Sequence, residues 1–236
     1  MAEHGHSPDE VAARIRAPQG RGVLRDAVYG AIDGAVTTFA IVAGVAGAGL
    51  SPFVVIALGA ANVLADGFSM AAANYAGTKA ELENIRRIRD IEKRHIRDHP
   101  EGERLEVREI LSLKGLSGEV LDQATAAITR DQDNWIALMM DGEYGLGGVD
   151  PHPAKSAGTT FLAFLLAGII PLFPFVLGLD GAFTYSAYMT MATFFAIGAF
   201  KSRWSLSAWW RSALETTLIG GTAAAIAYFV GTLFHP

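Results

Sequence analysis

Six side chains in the middle of the chain pair up at helical spacing. Glu92 and His95 stand three residues apart, Glu103 and Glu106 likewise, and Met139 and Glu143 four apart. Each pair falls on one face of a helix. Carboxylates with one imidazole and one thioether, and no thiolate, suit Fe²⁺ or Mn²⁺. Glu-x-x-Glu spacing also occurs on any solvated helix, and Met139 fits an apolar core, so spacing leaves both readings open. A second set lies in apolar surroundings. Asp33 sits within Arg25-Asp26-Ala27-Val28-Tyr29-Gly30-Ala31-Ile32-Asp33-Gly34, and Asp66, Met70 and Asn74 follow at four-residue steps, with Asn62 one turn before them. Such steps place all four on one stripe of a helix. An ionisable group inside a membrane span costs roughly 2.5–3.5 kcal/mol and marks function by default. Carboxylate, thioether and amide stacked along one face form a ladder for a partly dehydrated cation. The competing reading is hydrogen bonding between helices, with Met70 merely packing.

The elements that carry these residues are of two kinds. The 236 residues are 51% hydrophobic and 18% charged, with 26 glycines, no cysteine and a mean hydropathy of +0.29. Without cysteine there is no disulfide scaffold, thiolate metal site, iron–sulfur cluster or cysteine nucleophile. A net charge of -5 gives no basic surface for nucleic acid. Residues 1–26 carry 8 charges and residues 79–155 carry 28, whereas the other 133 residues carry only 7. Those 7 are Asp33, Asp66, Asp180, Lys201, Arg203, Arg211 and Glu215. The poor regions break into five apolar stretches at about 27–49, 53–76, 158–179, 182–200 and 212–234. Each is close to the ~20 residues with which a helix crosses the ~30 Å hydrocarbon core.

All 19 Lys and Arg residues fall in the N-terminal segment, the 79–155 insert, and the loop holding Lys201, Arg203 and Arg211. Loops rich in Lys and Arg stay cytoplasmic. The expected fold is an all-α polytopic membrane protein with five transmembrane helices and a cytoplasmic helical metal-binding insert between helices 2 and 3. Its parts are a cytoplasmic N-terminal tail (1–26), helices 1–2 (27–78), the insert (79–155) and helices 3–5 (156–236). The N-terminus is expected in the cytoplasm and the C-terminus outside. Short connections and the lack of a targeting segment point to a prokaryotic inner membrane.

Within the insert, the second apolar stretch is expected to run on as helix through Lys79–Arg97 until His99-Pro100 stops it. Further helices are expected over Glu101–Leu113, ended by Lys114-Gly115, over Ser117–Thr129, and from Asp131 to Tyr144. Pro171 and Pro174 should kink the third span. Gly30-x-x-x-Gly34 and Gly220-Gly221 are weak signals for helix pairing and dimerisation. Glu215 lies four residues from Arg211, the spacing of a local ion pair. No Gly-Lys-Ser/Thr loop, His-Glu-x-x-His or Gly-x-Ser-x-Gly string occurs, which removes ATP-driven pumping and the commonest membrane hydrolases.

Taken together, these strings resemble the vacuolar iron transporter family. Arg25-Asp26…Gly30…Asp33-Gly34, Ser69-Met70-Ala71, Pro171-x-x-Pro174 and Met139-Met140-x-x-Glu143-x-Gly145-Leu146 carry the resemblance, which covers the chain from Arg25 to Gly231. It implies a homodimeric exporter of Fe²⁺, and often Mn²⁺, in exchange for protons. It also implies that Asp33 and Met70 line the membrane path at the dimer interface, and that Glu92, Glu103, Glu106, Met139 and Glu143 are ligands in the insert. Two departures stand out. The family usually has Gly-Glu-Tyr or Gly-Asp-Tyr where this chain has Ala73-Asn74-Tyr75, and Glu-x-x-Glu where it has Glu92-x-x-His95. Asp66 offers a substitute charge for the first. Histidine as a residue type changes charge near neutrality, so its presence at this position implies more pH-sensitive metal loading.

The expected function is therefore proton-coupled export of Fe²⁺, with Mn²⁺ as a second cargo, by a secondary transporter rather than an enzyme. Its partners are divalent metal ions, membrane lipid and a second copy of the chain; it has no permanent cofactor and binds no nucleic acid. The path residues are Asp33, Asp66, Met70 and Asn74, and the insert ligands Glu92, His95, Glu103, Glu106, Met139 and Glu143. The alternative is a membrane-anchored metal sensor or storage adaptor. A metal-dependent membrane enzyme ranks lower, because the paired Glu-x-x-His helices of a di-iron oxidase are missing.

Overall fold

The computed structural model describes residues 5–16, 23–148, 150–204 and 206–234, and among these every regular element is helical. Of the expected N-terminal tail, residues 1–4 and 17–22 therefore lie outside the described residues. In chain order the helices are α1 (Pro8–Arg16), α2 (Leu24–Gly47), α3 (Pro52–Asp98), α4 (Pro100–Leu113), α5 (Gly118–Ile128) and α6 (Gln132–Gly142). They continue with α7 (Pro153–Ile169), a 3₁₀ turn over Ile170–Leu172, α8 (Phe173–Val176), α9 (Ala182–Lys201) and α10 (Trp209–Thr232). The described residues divide into two compact units, one from 5, 23–76 and 153–234, the other from 6–16 and 77–152.

In the first unit, α2 packs against α7, α9 and α10. It ends in a tight reversal: Gly49 adopts φ 67°, the Leu50 N–H reaches back to the Val45 carbonyl at 3.1 Å, and Pro52 opens α3. Left-handed glycine after the helix and proline at the first turn of the next are the residues such a corner needs. The core gathers Phe39, Val42, Val45, Val55, Val63, Leu172, Phe175 and Ala224. Gly30 and Gly34 lie buried against α7: a methyl on Gly30 would run into the Thr160 carbonyl, and one on Gly34 into the Phe164 backbone. This Gly-x-x-x-Gly face thus serves packing within the chain, which corrects its reading as a dimerisation signal.

Pro171 and Pro174 break the helix as expected. Pro174 has no N–H to offer the Pro171 carbonyl, and the buried Ser186 hydroxyl of α9 donates to that carbonyl at 2.6 Å. Among the described residues, four helical segments are long and apolar enough to cross a membrane: α2, α3, Pro153–Val176 and α10. The sequence suggested five. The remaining helix, α9, has 20 residues but is diluted by Thr184, Tyr185, Ser186, Tyr188, Thr190 and Thr193, and falls short in apolarity. Glu215 also finds a different partner, Lys201 at 3.8 Å, while the Arg211 guanidinium stacks on Trp210.

The second unit holds the charged helices. α3 runs without a break to Asp98, where His99 leaves helical geometry and Pro100 begins α4. α4 packs on α5 and α6 around Val107, Leu111, Leu121, Trp135 and Met139. Asp131 caps α6 by accepting from the Asn134 N–H at 2.9 Å, as an N-cap aspartate does.

The α2–α7 contact gives a direct test. Gly34→Ala should lower stability by about 1–3 kcal/mol through overpacking, seen as a fall in the thermal midpoint of the detergent-solubilised protein. Gly44→Ala is the control, since its methyl would meet only the Ala227 carbonyl at 3.7 Å; equal midpoints for the two variants would disprove the close approach.

Candidate functional site

The polar residues of the first unit are organised by register. Asn62 on α3 donates its side-chain amide to the hydroxyls of Thr37 (3.3 Å) and Thr38 (3.2 Å) on α2. Three turns further along α3, the Asn74 amide donates to Asp26 Oδ1 at 3.0 Å. The same amide reaches α7, at Thr160 Oγ1 (2.7 Å) and the Ser156 carbonyl (3.4 Å). Two antiparallel helices tied at these points bring Asp33 opposite Asp66, and the two carboxylates are electrostatic neighbours. Asp33 and Met70 are half-buried, whereas Asp66 is exposed. Asp33, Asp66 and Met70 thus share one stretch of the α2–α3 hairpin, between the two amide ties. Asn74 differs from them in having its donors committed to Asp26 and α7. A carboxylate at position 74 could only accept, and would meet Asp26 as a like charge; the amide turns that meeting into a hydrogen bond.

In the second unit, α3, α4 and the end of α6 bring the insert candidates together. Glu92 and Glu103 are buried, 1% and 4% exposed, and one oxygen of each, Oε2, has no hydrogen-bond partner. His95 Nδ1 lies 3.3 Å from Glu103 Oε1. The Tyr144 hydroxyl donates to Glu92 Oε1 at 3.0 Å. His95, Glu106 and Glu143 lie exposed around the buried pair. Burial first, then the Glu106 and Glu92 carboxylates, push the Glu103 carboxyl up to about 7, with His95 opposing. Burial also raises Glu143, and burial with the hydrogen bonds to Glu92 and Glu143 raises the Tyr144 phenol.

Two buried carboxylates with orphaned oxygens are costly alone and become favourable when a cation or a shared proton lies between them. The chemistry fits a hard or borderline divalent ion. The arrangement is not a finished coordination sphere: among the described residues no three His, Asp or Glu side chains close on one point. Met139 is wholly buried in the apolar cluster with Val107, Leu111, Leu121 and Trp135, so any contribution from its thioether comes from the core side. Tyr144 was missed from the sequence. Its only signal there was a position beside Glu143 in a helix-ending turn.

Residues 24–232 match the VIT family. Vacuolar iron transporter 1 of Arabidopsis thaliana is 35% identical over 210 residues, spanning 87% of this chain and 84% of its own. The chain belongs to the VIT family. Vacuolar iron transporter 2 of Oryza sativa subsp. japonica is 33% identical over 209 residues, 87% of this chain and 85% of its own. The vacuolar iron transporter of Toxoplasma gondii is 33% identical over 224 residues, 90% of this chain and 74% of its own. VIT-family proteins are transporters, not enzymes. The expected prokaryotic inner membrane is corrected by these relatives: they come from plants and parasites and are named for the vacuole. Short connecting loops carry no address, so the sequence could not have decided between the two membranes.

The Glu103 carboxyl gives a pH prediction. A raised folded-state value stabilises the metal-free insert fully below about pH 4.5, and that contribution is lost as pH rises through about 7. Metal needs the ionised form, so its binding should weaken about tenfold per pH unit below about 7, with one proton released per metal bound. Calorimetry of the full-length protein with Mn²⁺ in buffers of differing ionisation enthalpy counts the protons. A pH-independent affinity between 5.5 and 7 would rule Glu103 out as a ligand.

Proposed function

We propose that this VIT-family chain exports Fe²⁺, and Mn²⁺ as a second cargo, from the cytosol across a vacuolar membrane in exchange for protons. The observation that carries the proposal is the placing of Asp33 opposite Asp66, beside Met70, on helices apolar enough to span a bilayer. Charge in hydrocarbon is costly. A cation between two carboxylates removes most of that cost, and so do protons, which makes the two alternative occupants of one site. Exchange of metal for protons then follows from a site that is stable only when one or the other is present.

In this reading α9 is the fifth span. Its buried Ser186 and Thr190 turn toward the bundle, and the connection between α8 and α9, which holds Asp180 but no Lys or Arg, leaves the basic residues on one side. The charged helices of residues 79–155 form a cytosolic domain, where Glu92, His95, Glu103, Glu106 and Glu143 load metal, with Met139 behind them. The four-part division at 26, 78 and 155 is kept as the working map of the chain. Asn74 acts at the edge of the path by fixing α3 to α2 and α7. The working form is a homodimer in lipid. The relatives named as iron transporters support iron as the principal cargo.

Flux in reconstituted vesicles decides it. Fe²⁺ uptake into proteoliposomes should depend on an inward-acid pH gradient, and Asp33→Ala should abolish it. Unchanged flux in that variant would remove Asp33 from the path, and flux insensitive to the gradient would remove proton coupling. Glu103→Ala with Glu106→Ala should leave the gradient dependence intact and slow uptake chiefly at low metal.

A further inference from the structure

The end of α6 is built to aim one side chain at the insert's buried carboxylates. Past Gly142 the chain turns through Gly145, at φ 65°. The Gly145 N–H bonds the Asp141 carbonyl at 3.2 Å and the Leu146 N–H bonds the Met140 carbonyl at 2.7 Å, a nested pair that closes the helix end around a left-handed glycine. Leu146 is pinned against Ile88, Ile136 and Met140. Glu143 and Tyr144 lie inside this fixed turn, and the phenol is held on Glu92 Oε1, a residue 52 positions earlier. Glu143 is its other carboxylate neighbour. Glu92 is therefore a carboxylate with its two oxygens in different situations: Oε1 takes the phenol, while Oε2 is buried without a partner.

We propose that Tyr144 is a specificity-determining residue of the insert, which by holding Glu92 Oε1 in a hydrogen bond biases Glu92 toward single-oxygen ligation through Oε2 and so disfavours Ca²⁺ against smaller divalent ions. This rests on the reading that the insert binds metal. Ca²⁺ fills a sphere of 6–8 oxygens at 2.3–2.6 Å, in which bidentate carboxylates are usual. Fe²⁺ and Mn²⁺ have smaller spheres and accept imidazole as well as single carboxylate oxygens. A glutamate whose second oxygen is shared with the phenol is a poorer two-oxygen ligand for Ca²⁺ and costs the smaller ions little. His95, a nitrogen donor 3.3 Å from Glu103, biases the cluster the same way, because Ca²⁺ selects oxygen. Tyr144 is a positioning residue, since it acts through Glu92.

The test uses full-length protein in detergent, with Mn²⁺ binding read by the loss of its free-ion electron paramagnetic resonance signal and Ca²⁺ as competitor. The insert's share is the binding that Glu103→Ala with Glu106→Ala removes. Tyr144→Phe keeps the ring and deletes the hydroxyl, and it should lower the ratio of Mn²⁺ to Ca²⁺ affinity in that share by about tenfold, the scale of ligand-orienting partners. Equal weakening of both metals, or no change, overturns the proposal by reducing Tyr144 to a packing role. If wild type shows no share removed by the double substitution, the metal reading itself fails and the proposal falls with it. Tyr144→Leu carries the same expectation should the Phe variant lose helicity by circular dichroism. If neither variant folds, Tyr144 is a structural residue and the proposal is overturned.

Discussion

The polar residues facing each other from α2 and α3 depend on the antiparallel register of these helices, and two asparagine amides tie that register. An amide is suited to the task because it donates twice without carrying charge into apolar surroundings. Asn62 reaches the paired hydroxyls of Thr37 and Thr38, and Asn74 reaches Asp26 together with Thr160 of α7. A slip of α3 by one residue would rotate Asp66 and Met70 away from Asp33 by about 100°. The glycine face of α2 completes the constraint from the other side, since Gly30 and Gly34 let α7 come close enough for Thr160 to meet Asn74.

The charged unit is held on the opposite principle. Its buried acids, Glu92 and Glu103, each leave an oxygen unanswered, while the apolar cluster of Val107, Leu111, Leu121, Trp135 and Met139 supplies the cohesion. Buried polar atoms without partners are rare in stable structures and call for a physical reason. The helix ends are well specified by comparison: proline opens α4, aspartate caps α6, and glycine closes it. A firm frame thus surrounds an unsatisfied centre, which is the division a loading site requires.

Much of the architecture was legible in the residues. Apolar stretches of bilayer length marked α2, α7 and α10, and the long run through Lys79 to Asp98 followed from its unbroken helical period and the halt at Pro100. What could not be read was everything set by contacts between distant segments. The Gly-x-x-x-Gly string announces a close helix neighbour without saying whose helix it is. Glu215 has Arg211 at helical spacing, yet the turn after α9 brings Lys201 to it instead. The facing of Asp33 and Asp66 depends on amide bonds spanning 24 to 48 residues. Tyr144 gave almost no signal because its direction comes from the turn at Gly145, not from a helical face. The hydroxyls of α9 sit in sequence as ordinary members of an apolar stretch, although their number decides how readily a helix crosses a bilayer.

One of those hydroxyls bears on how the protein is made. The Pro171 carbonyl finds its donor in Ser186, which belongs to the next apolar helix. A segment released into lipid before that helix arrives would present an unanswered acceptor to hydrocarbon, where no water can stand in. The α9 helix, with its many hydroxyls, is in turn a weak candidate to enter lipid alone. Each of the two lacks what the other supplies, and the proline break is the point at which they meet.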